Sequence, residues 1–413
     1  MDINIVITNA ATASRTLSVS DEEVSSILND IAGELYDNRD YILAANAGDL
    51  ELMLSSDPRY DRLKLTADRL QSIACDMRNV AAMPSPIGVT LSETVRPNGM
   101  KISKVSVPFG VIGVIYESRP NVTCDVFTLC FKTGNVCVLK GGSEAKHTNL
   151  ALVDIIRRTL ERYGVNPKAC TLLPTGREST EALLGAVGIV DLIIPRGSSS
   201  LINFVRENTT IPVIETGAGV CHAYFDKDGD KVKGRDIVNN AKTRRVSVCN
   251  ALDCLLIHES RLADLPFICG KLADNNVIIY ADDRAFDALS GHYPFVQPAV
   301  SDSYGTEFLD YKMSIRTISS LSEAVAHITS HGSRHSECII SESYEAIARF
   351  QKTVDAACVY ANVSTAFTDG AQFGLGSEIG ISTQKLHARG PMGLSELTTY
   401  KYLIEGVGQI RTP

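Results

Sequence analysis

Apolar residues recur at helical spacing through the first third of the chain. Val24, Ile27, Leu28, Ile31 and Leu35 share one face behind Ser20-to-Glu23. That pair reads as a capping box, in which hydroxyl and carboxylate satisfy each other's backbone N–H groups. Leu63, Leu70, Ile73 and Met77 mark a second amphipathic stretch, expected as one helix ending before Pro84-Ser85-Pro86. The pattern then becomes hairpin-like: Ile87 to Val95, a turn at Pro97-Asn98-Gly99, and Met100 to Val107. Its outward residues are polar, which suits an arm packing on another subunit.

From Pro108 the chain alternates short apolar runs with helical patterns. Val111–Tyr116, Val136–Lys140, Cys170–Leu173 and Val190–Pro195 read as strands. Val122–Lys132, Ala151–Tyr163, Glu178–Gly185 and Leu201–Asn208 read as the helices between and after them. Such alternation with short turns predicts a parallel, doubly wound α/β sheet. A second alternating region runs from about Phe225 to Ser382, so two such lobes are expected. Residues 1–222 would form one domain, with the hairpin arm at about 87–107, and 223–385 the second. Residues 386–413 would be a return and oligomerisation tail, strand-like from Leu397 and able to meet the arm.

Composition narrows the class. The 413 residues are 44% apolar and 21% charged, as in ordinary globular proteins, and the net charge of −8 disfavours nucleic acid or an anionic membrane as partner. Eleven cysteines without a CxxC pair or a secretory leader point to reduced thiols and a cytoplasmic setting. No apolar run nears the ~18 residues that a membrane span needs.

Several groups invite chemistry. Cys249 follows Arg244 and Arg245, where a thiolate would be stabilised, and Glu215-Thr216-Gly217-Ala218-Gly219 closes an apolar run upstream. Arg196-Gly197-Ser198 lies between a strand and a helix, where backbone N–H groups suit a pyrophosphate, although a serine-rich cap has the same composition. Lys140 ends a strand before Gly141-Gly142-Ser143, and carboxyl ends of such strands face the ligand crevice. His327, His331 and His335 fall at i, i+4 and i+8, but Gly332 and Ser333 interrupt the helix and no carboxylate supports a metal. They read as an exposed helix end, and no metal is expected. His222 beside Cys221 reads as substrate-lining or structural.

The order of these motifs resembles the aldehyde dehydrogenase superfamily over nearly the whole chain. It runs through Glu117-Ser118-Arg119-Pro120-Asn121, Gly134 to Lys140 and Arg196-Gly197-Ser198. Glu215 to Gly219, Cys249, Glu307-Phe308-Leu309-Asp310 and Phe373 to Ser377 then follow. Tyr116 to Thr123, Glu215 to Gly219, Thr306 to Asp310 and Gln384 to Leu394 are similar to one branch, the γ-glutamyl phosphate reductases, also termed glutamate-5-semialdehyde dehydrogenases. The chain departs from that branch at Arg245-Val246-Ser247-Val248, which lacks the proline and glycine expected before the cysteine, and at Val220.

The resemblance implies an aldehyde dehydrogenase-like fold and NADPH-dependent reduction of L-glutamyl 5-phosphate to the semialdehyde and phosphate, the second step of proline synthesis. Cys249 would carry a thioester, with its backbone N–H and the Asn121 amide serving the oxyanion. Glu215 would either act at the reacting centre or order its turn. Arg119, His222, Arg245 and Arg389 are the expected substrate-binding residues. Lys140, Gly141, Ser143, Thr175, Gly176, Arg196, Gly197, Ser198 and Glu307 are expected to hold NADPH/NADP. The implied partners are a small-molecule substrate, further copies of the chain and functional coupling to a glutamate 5-kinase. Oxidation of an ordinary aldehyde to an acid is the alternative reading.

Overall fold

The Ser20 hydroxyl accepts from the Glu23 N–H while the Glu23 carboxylate accepts from the Ser20 N–H at 3.0 Å, so the capping box forms. It starts the helix Asp21–Asp37, which buries Val24, Ile27, Leu28, Ile31 and Leu35 as the spacing predicts. This is seen in a computed structural model that describes residues 2–55, 57 and 59–411. The second amphipathic stretch is interrupted instead of continuous. A short helix Tyr60–Leu63 ends, and Thr66 caps a new one, Ala67–Ala82, by accepting from the Arg69 N–H. The β-branched threonine competes for the backbone better as a cap than as a helix interior residue.

The chain divides into two compact units. The first comprises Met1–Thr216, Gly374–Gly380 and Met392–Pro413. It holds a parallel four-stranded sheet in the order Cys170–Leu172, Val136–Gly141, Val111–Tyr116, Leu192–Arg196. Every residue of Val111–Tyr116 is buried, as befits a central strand covered on both faces. The strand order reverses direction between Val111–Tyr116 and Leu192–Arg196, which makes their carboxyl ends a topological switch point. The predicted hairpin also forms, from Thr90–Val95 and Lys101–Pro108. The tail strand Thr398–Glu405 joins it antiparallel, with Thr398 opposite Pro108 and Glu405 opposite Lys101.

The second unit comprises Gly217–Phe373 and Ile381–Pro391. The expected boundary at 222/223 falls inside its strand Cys221–Phe225. Its seven parallel strands run in the order Val296–Pro298, Ile278–Ala281, Lys312–Ile318, Leu252–His258, Cys221–Phe225, Ser336–Ile340, Cys358–Ala361. Alternate residues of a strand serve opposite faces: Ala223 and Phe225 join one buried cluster, Tyr224 another. Two cores, one per face, are what a doubly wound sheet requires. Among the described residues no helix is long and apolar enough to cross a membrane.

Candidate active site

In the first unit, three neighbouring strands deliver Glu117-Ser118, Lys140-Gly141 and Arg196-Gly197 to one edge of the sheet. Ser198 caps the helix Ser199–Glu207, and its N–H donates to Glu117 Oε2 at 2.9 Å. An anion is thus already stabilised at this helix start, and it is the chain's own carboxylate. Glu144 accepts from both the N–H (2.7 Å) and the hydroxyl (2.6 Å) of Ser118, whose backbone sits in the left-handed region at φ 40°. Lys140 is half-buried, and burial lowers its pKa below that of an ordinary lysine. A Cβ at Gly141 would lie 2.4 Å from the Asn149 amide and 3.3 Å from Tyr116, so any larger residue there would have to displace the buried Asn149 side chain. The Arg196 Nε is buried without a hydrogen-bond partner among the described residues. An unused donor and a lysine at a strand-end crevice fit a phosphorylated, nucleotide-like group. On the same unit, Glu215 pairs with Arg206 at 3.5 Å, and the Asn121 amide donates to Asp125 at 2.9 Å.

In the second unit the chemistry gathers at the opposite, amino-terminal edge of a sheet. Gly219, Cys249 and His335 each lie shortly before one of three adjacent parallel strands, Cys221–Phe225, Leu252–His258 and Ser336–Ile340. His222 pairs with Cys254 on one side and Glu337 on the other, and that register brings the three lead-in segments together. The Cys249 sulfur lies 3.2 Å from His335 Nε2. His335 is fully buried, which pulls its pKa down to about 4 and keeps the ring neutral at physiological pH. The Cys221 thiol donates to the Cys249 carbonyl at 3.2 Å. Gly219 presses still closer: a Cβ there would stand 1.7 Å from the same carbonyl oxygen. Its N–H donates to Glu307 Oε1 at 2.9 Å. The turn after Glu307 is fixed in turn by Asp253, which accepts from the Phe308 N–H at 3.2 Å. Cys249 is partly exposed, whereas nine of the other ten cysteines are buried and only Cys75 is exposed.

The Aldehyde dehydrogenase family profile matches residues 1–273, well over half of the chain. The chain belongs to the aldehyde dehydrogenase family. Proteins named gamma-glutamyl phosphate reductase resemble this family member over its full length. The one from Parabacteroides distasonis is 66% identical across 100% of both chains, and that from Bacteroides thetaiotaomicron 62% across 97% of this chain and 96% of its own. The crystal structure of the Thermotoga maritima gamma-glutamyl phosphate reductase superposes with a TM-score of 0.93 at 37% identity, covering 100% of this chain and 99% of that one. An acetylating aldehyde dehydrogenase from Geobacillus thermoglucosidasius, 15% identical with a TM-score of 0.72, shares the fold. As a member of the family the protein is an oxidoreductase that uses a nicotinamide cofactor on a small molecule.

Within this aldehyde dehydrogenase, the expected site residues separate by environment. Lys140, Gly141, Ser143, Arg196, Gly197 and Ser198 share the strand-end edge of the first unit, and Thr175 and Gly176 lead into its helix Arg177–Leu184. Arg119 is half-buried just before the helix Asn121–Lys132, and Arg245 is exposed beside the cysteine turn. Arg389 is bound to Asp355 at 2.8 Å. His222 is not available to substrate: it is fully buried and faces Glu337 at 3.1 Å. Burial lowers its pKa, but the Glu337 carboxylate and the Cys254 thiol together raise it to about 10. The histidine triplet is not an exposed helix end either. His327 is buried and stacks on His331 at 4.2 Å, while His335 lies beyond the helix, buried against Cys249. Among the described residues the one set of three His, Cys, Asp or Glu side chains with all their donor atoms within 4.8 Å of one another is His222, Cys254 and His327. The residues that sequence reasoning missed are His335, Glu117 and Gly219 as a contact of the cysteine backbone. Only the position of His335 directly before an apolar strand hinted at its burial.

Proposed function

We propose that the protein reduces L-glutamyl 5-phosphate to L-glutamate 5-semialdehyde and phosphate with NADPH, through a thioester on Cys249, as the second step of proline synthesis in the cytoplasm. The observation that carries the reading is 66% identity over the full length to a protein named for that substrate. Cys249, partly exposed and hydrogen-bonded to a neutral imidazole, supports its role as nucleophile. Its sulfur would attack the acyl phosphate, expelling phosphate with the C–O electron pair. The Cys249 N–H and the Asn121 amide would serve the oxyanion. NADPH, when bound, supplies the hydride that converts the thioester to a thiohemiacetal, which collapses to aldehyde and thiol.

Lys140 and Arg196, with the backbone at Gly141, Ser143, Thr175, Gly176, Gly197 and Ser198, would hold the dinucleotide, and Glu307 its nicotinamide ribose. Glu144, the acid that would repel a 2′-phosphate, is occupied by two hydrogen bonds from Ser118, which favours NADP. Arg119, Arg245 and Arg389 would bind the substrate's carboxylate and phosphate. Engagement of Glu215 by Arg206 favours an ordering role over water activation. The strand Thr90–Val95 is exposed along its whole length, and, contrary to the polar outward face expected from the sequence, Leu91, Val95, Tyr402, Leu403 and Ile404 leave the arm sheet with apolar surface outward. A second copy of the chain would cover it. Coupling to a glutamate 5-kinase would deliver the unstable acyl phosphate.

The test is NADP reduction with the semialdehyde, with and without inorganic phosphate. Strict phosphate dependence, lost in Cys249→Ala, is the expected result. Phosphate-independent formation of an acid would replace this reading by aldehyde oxidation.

A further inference from the structure

Behind the Cys249–His335 contact runs a continuous line of hydrogen-bonded side chains inside the second unit. His335 Nδ1 meets Ser336 Oγ at 2.8 Å, Ser336 Oγ meets Thr368 Oγ1 at 2.6 Å, and Thr368 Oγ1 meets the Tyr360 hydroxyl at 2.8 Å. His335, Ser336 and Thr368 are fully buried, while Tyr360 is half-buried. Each hydroxyl both donates and accepts, so the line has two consistent polarities. In one, the Cys249 thiol donates to Nε2, Nδ1–H donates to Ser336, Ser336 to Thr368 and Thr368 to Tyr360. In the other every bond is reversed, and Nε2–H donates to a Cys249 thiolate. The two differ by one proton, released past Tyr360, and neither contains an imidazolium.

We propose that His335, Ser336, Thr368 and Tyr360 form a proton relay that removes the Cys249 proton during acylation and returns it when the thiohemiacetal collapses. This rests on the thioester reading above. In the outward stroke the S–H bond breaks as Nε2–H forms, Nδ1–H passes to Ser336, and each hydroxyl hands its proton on until one leaves at Tyr360. The sulfur pair then forms the C–S bond as the C–O bond to phosphate breaks. After hydride has reached the carbonyl carbon, the oxyanion re-forms C=O, the C–S bond breaks, and the sulfur takes back one proton along the same line. The proton released in acylation is matched by the one returned on collapse, and the single proton that reduction of an acyl phosphate consumes ends on the departing phosphate.

The relay answers a physical difficulty. A fully buried imidazole resists becoming a cation, so a simple thiolate–imidazolium pair is disfavoured here. A line that passes protons on through neutral groups avoids that state. The other titratable groups around His335 do not compete. Cys221 Sγ lies 3.8 Å from Nδ1, and burial holds its thiol well above the usual range. Glu337 is engaged by His222, and Arg334 is exposed.

The test uses the full chain and the variants Tyr360→Phe, Ser336→Ala and His335→Gln. Two readouts are taken: iodoacetamide alkylation of Cys249 across pH 6–9, and phosphate-dependent turnover in H₂O and D₂O mixtures. Tyr360→Phe and Ser336→Ala should each slow turnover by ~10²-fold, the low end of what general acid–base assistance contributes. Alkylation near pH 7 should slow in parallel, cofactor KM should stay within about twofold, and the curved proton inventory of the unaltered chain should become linear. Wild-type alkylation and turnover in Tyr360→Phe or Ser336→Ala, with His335→Gln alone impaired, would end the path at His335 and overturn the relay. Undiminished turnover in Cys249→Ala would instead sink the thioester reading. Alkylation is measured without substrate, so the two failures are told apart.

Discussion

Gly219→Ala tests whether the loop after Glu215 sets the position of the nucleophile. A Cβ at 219 would lie 1.7 Å from the Cys249 carbonyl oxygen, 2.4 Å from its carbonyl carbon and 2.6 Å from its Cα, where real Cβ atoms stay beyond 3.0 Å. All three obstacles are backbone, so no rotamer change relieves them, and one segment must retreat by more than an ångström. The Cys249 turn is held by the Cys221 thiol on its carbonyl and by the Ala251 N–H on Val248 O at 3.2 Å. The Gly219 segment is anchored through the Glu307 carboxylate, and if the Cys249 turn yields, the sulfur leaves its place beside His335. Misplacing a reacting group by about 1 Å costs roughly 10²-fold in rate. We therefore expect phosphate-dependent kcat to fall at least ~10²-fold, with slower alkylation of Cys249 and a folded circular dichroism spectrum. A variant with unchanged kcat and unchanged alkylation would refute the claim that this contact positions the cysteine.

Three further outcomes are expected. Lys140→Ala should raise the cofactor KM by roughly 10- to 150-fold, the loss of one charge-assisted hydrogen bond, and an equal loss for NAD and NADP in steady-state kinetics would move the contact from the 2′-phosphate to the common ribose. Glu215→Gln should keep most of the reductive rate, because an amide can still accept from Arg206; an acyl-enzyme accumulating in intact-protein mass spectrometry would reverse that assignment. Glu337→Gln should destabilise the fold by about 3–5 kcal/mol in urea titrations by leaving His222 unpaired in the core. The folded His222 titrates near 10, above the ordinary 6.5, so the His222 contribution is full below pH 6.5 and lost as pH rises through about 10, while burial raises the Glu337 pKa so that the ion pair itself also needs a pH high enough to ionise that carboxyl. The variant should lack that alkaline loss.

What was legible along the chain was whatever local chemistry controls. The Ser20–Glu23 box, the apolar faces behind it, the Pro97-Asn98-Gly99 turn and the buried run Val111–Tyr116 all appear where their spacing placed them, because caps, turns and periodicity act over a few residues. The order of motifs was enough to indicate the family. Even here a local rival intervened, since Thr66 cut one amphipathic stretch into two helices. The neighbours of Cys249 were not legible. His335 is 86 residues away, and Glu117 meets Ser198 across 81. Both contacts arise because parallel sheets pair strands that are not consecutive, and the strand order, not the distance along the chain, decides which lead-in segments share an edge. Burial, likewise, is a property of the assembled layers. It settled His222, read as substrate-lining or structural, as half of a core ion pair and turned His335 from a helix-end residue into a neutral ring on the cysteine, because a side chain's solvent is set by everything folded around it.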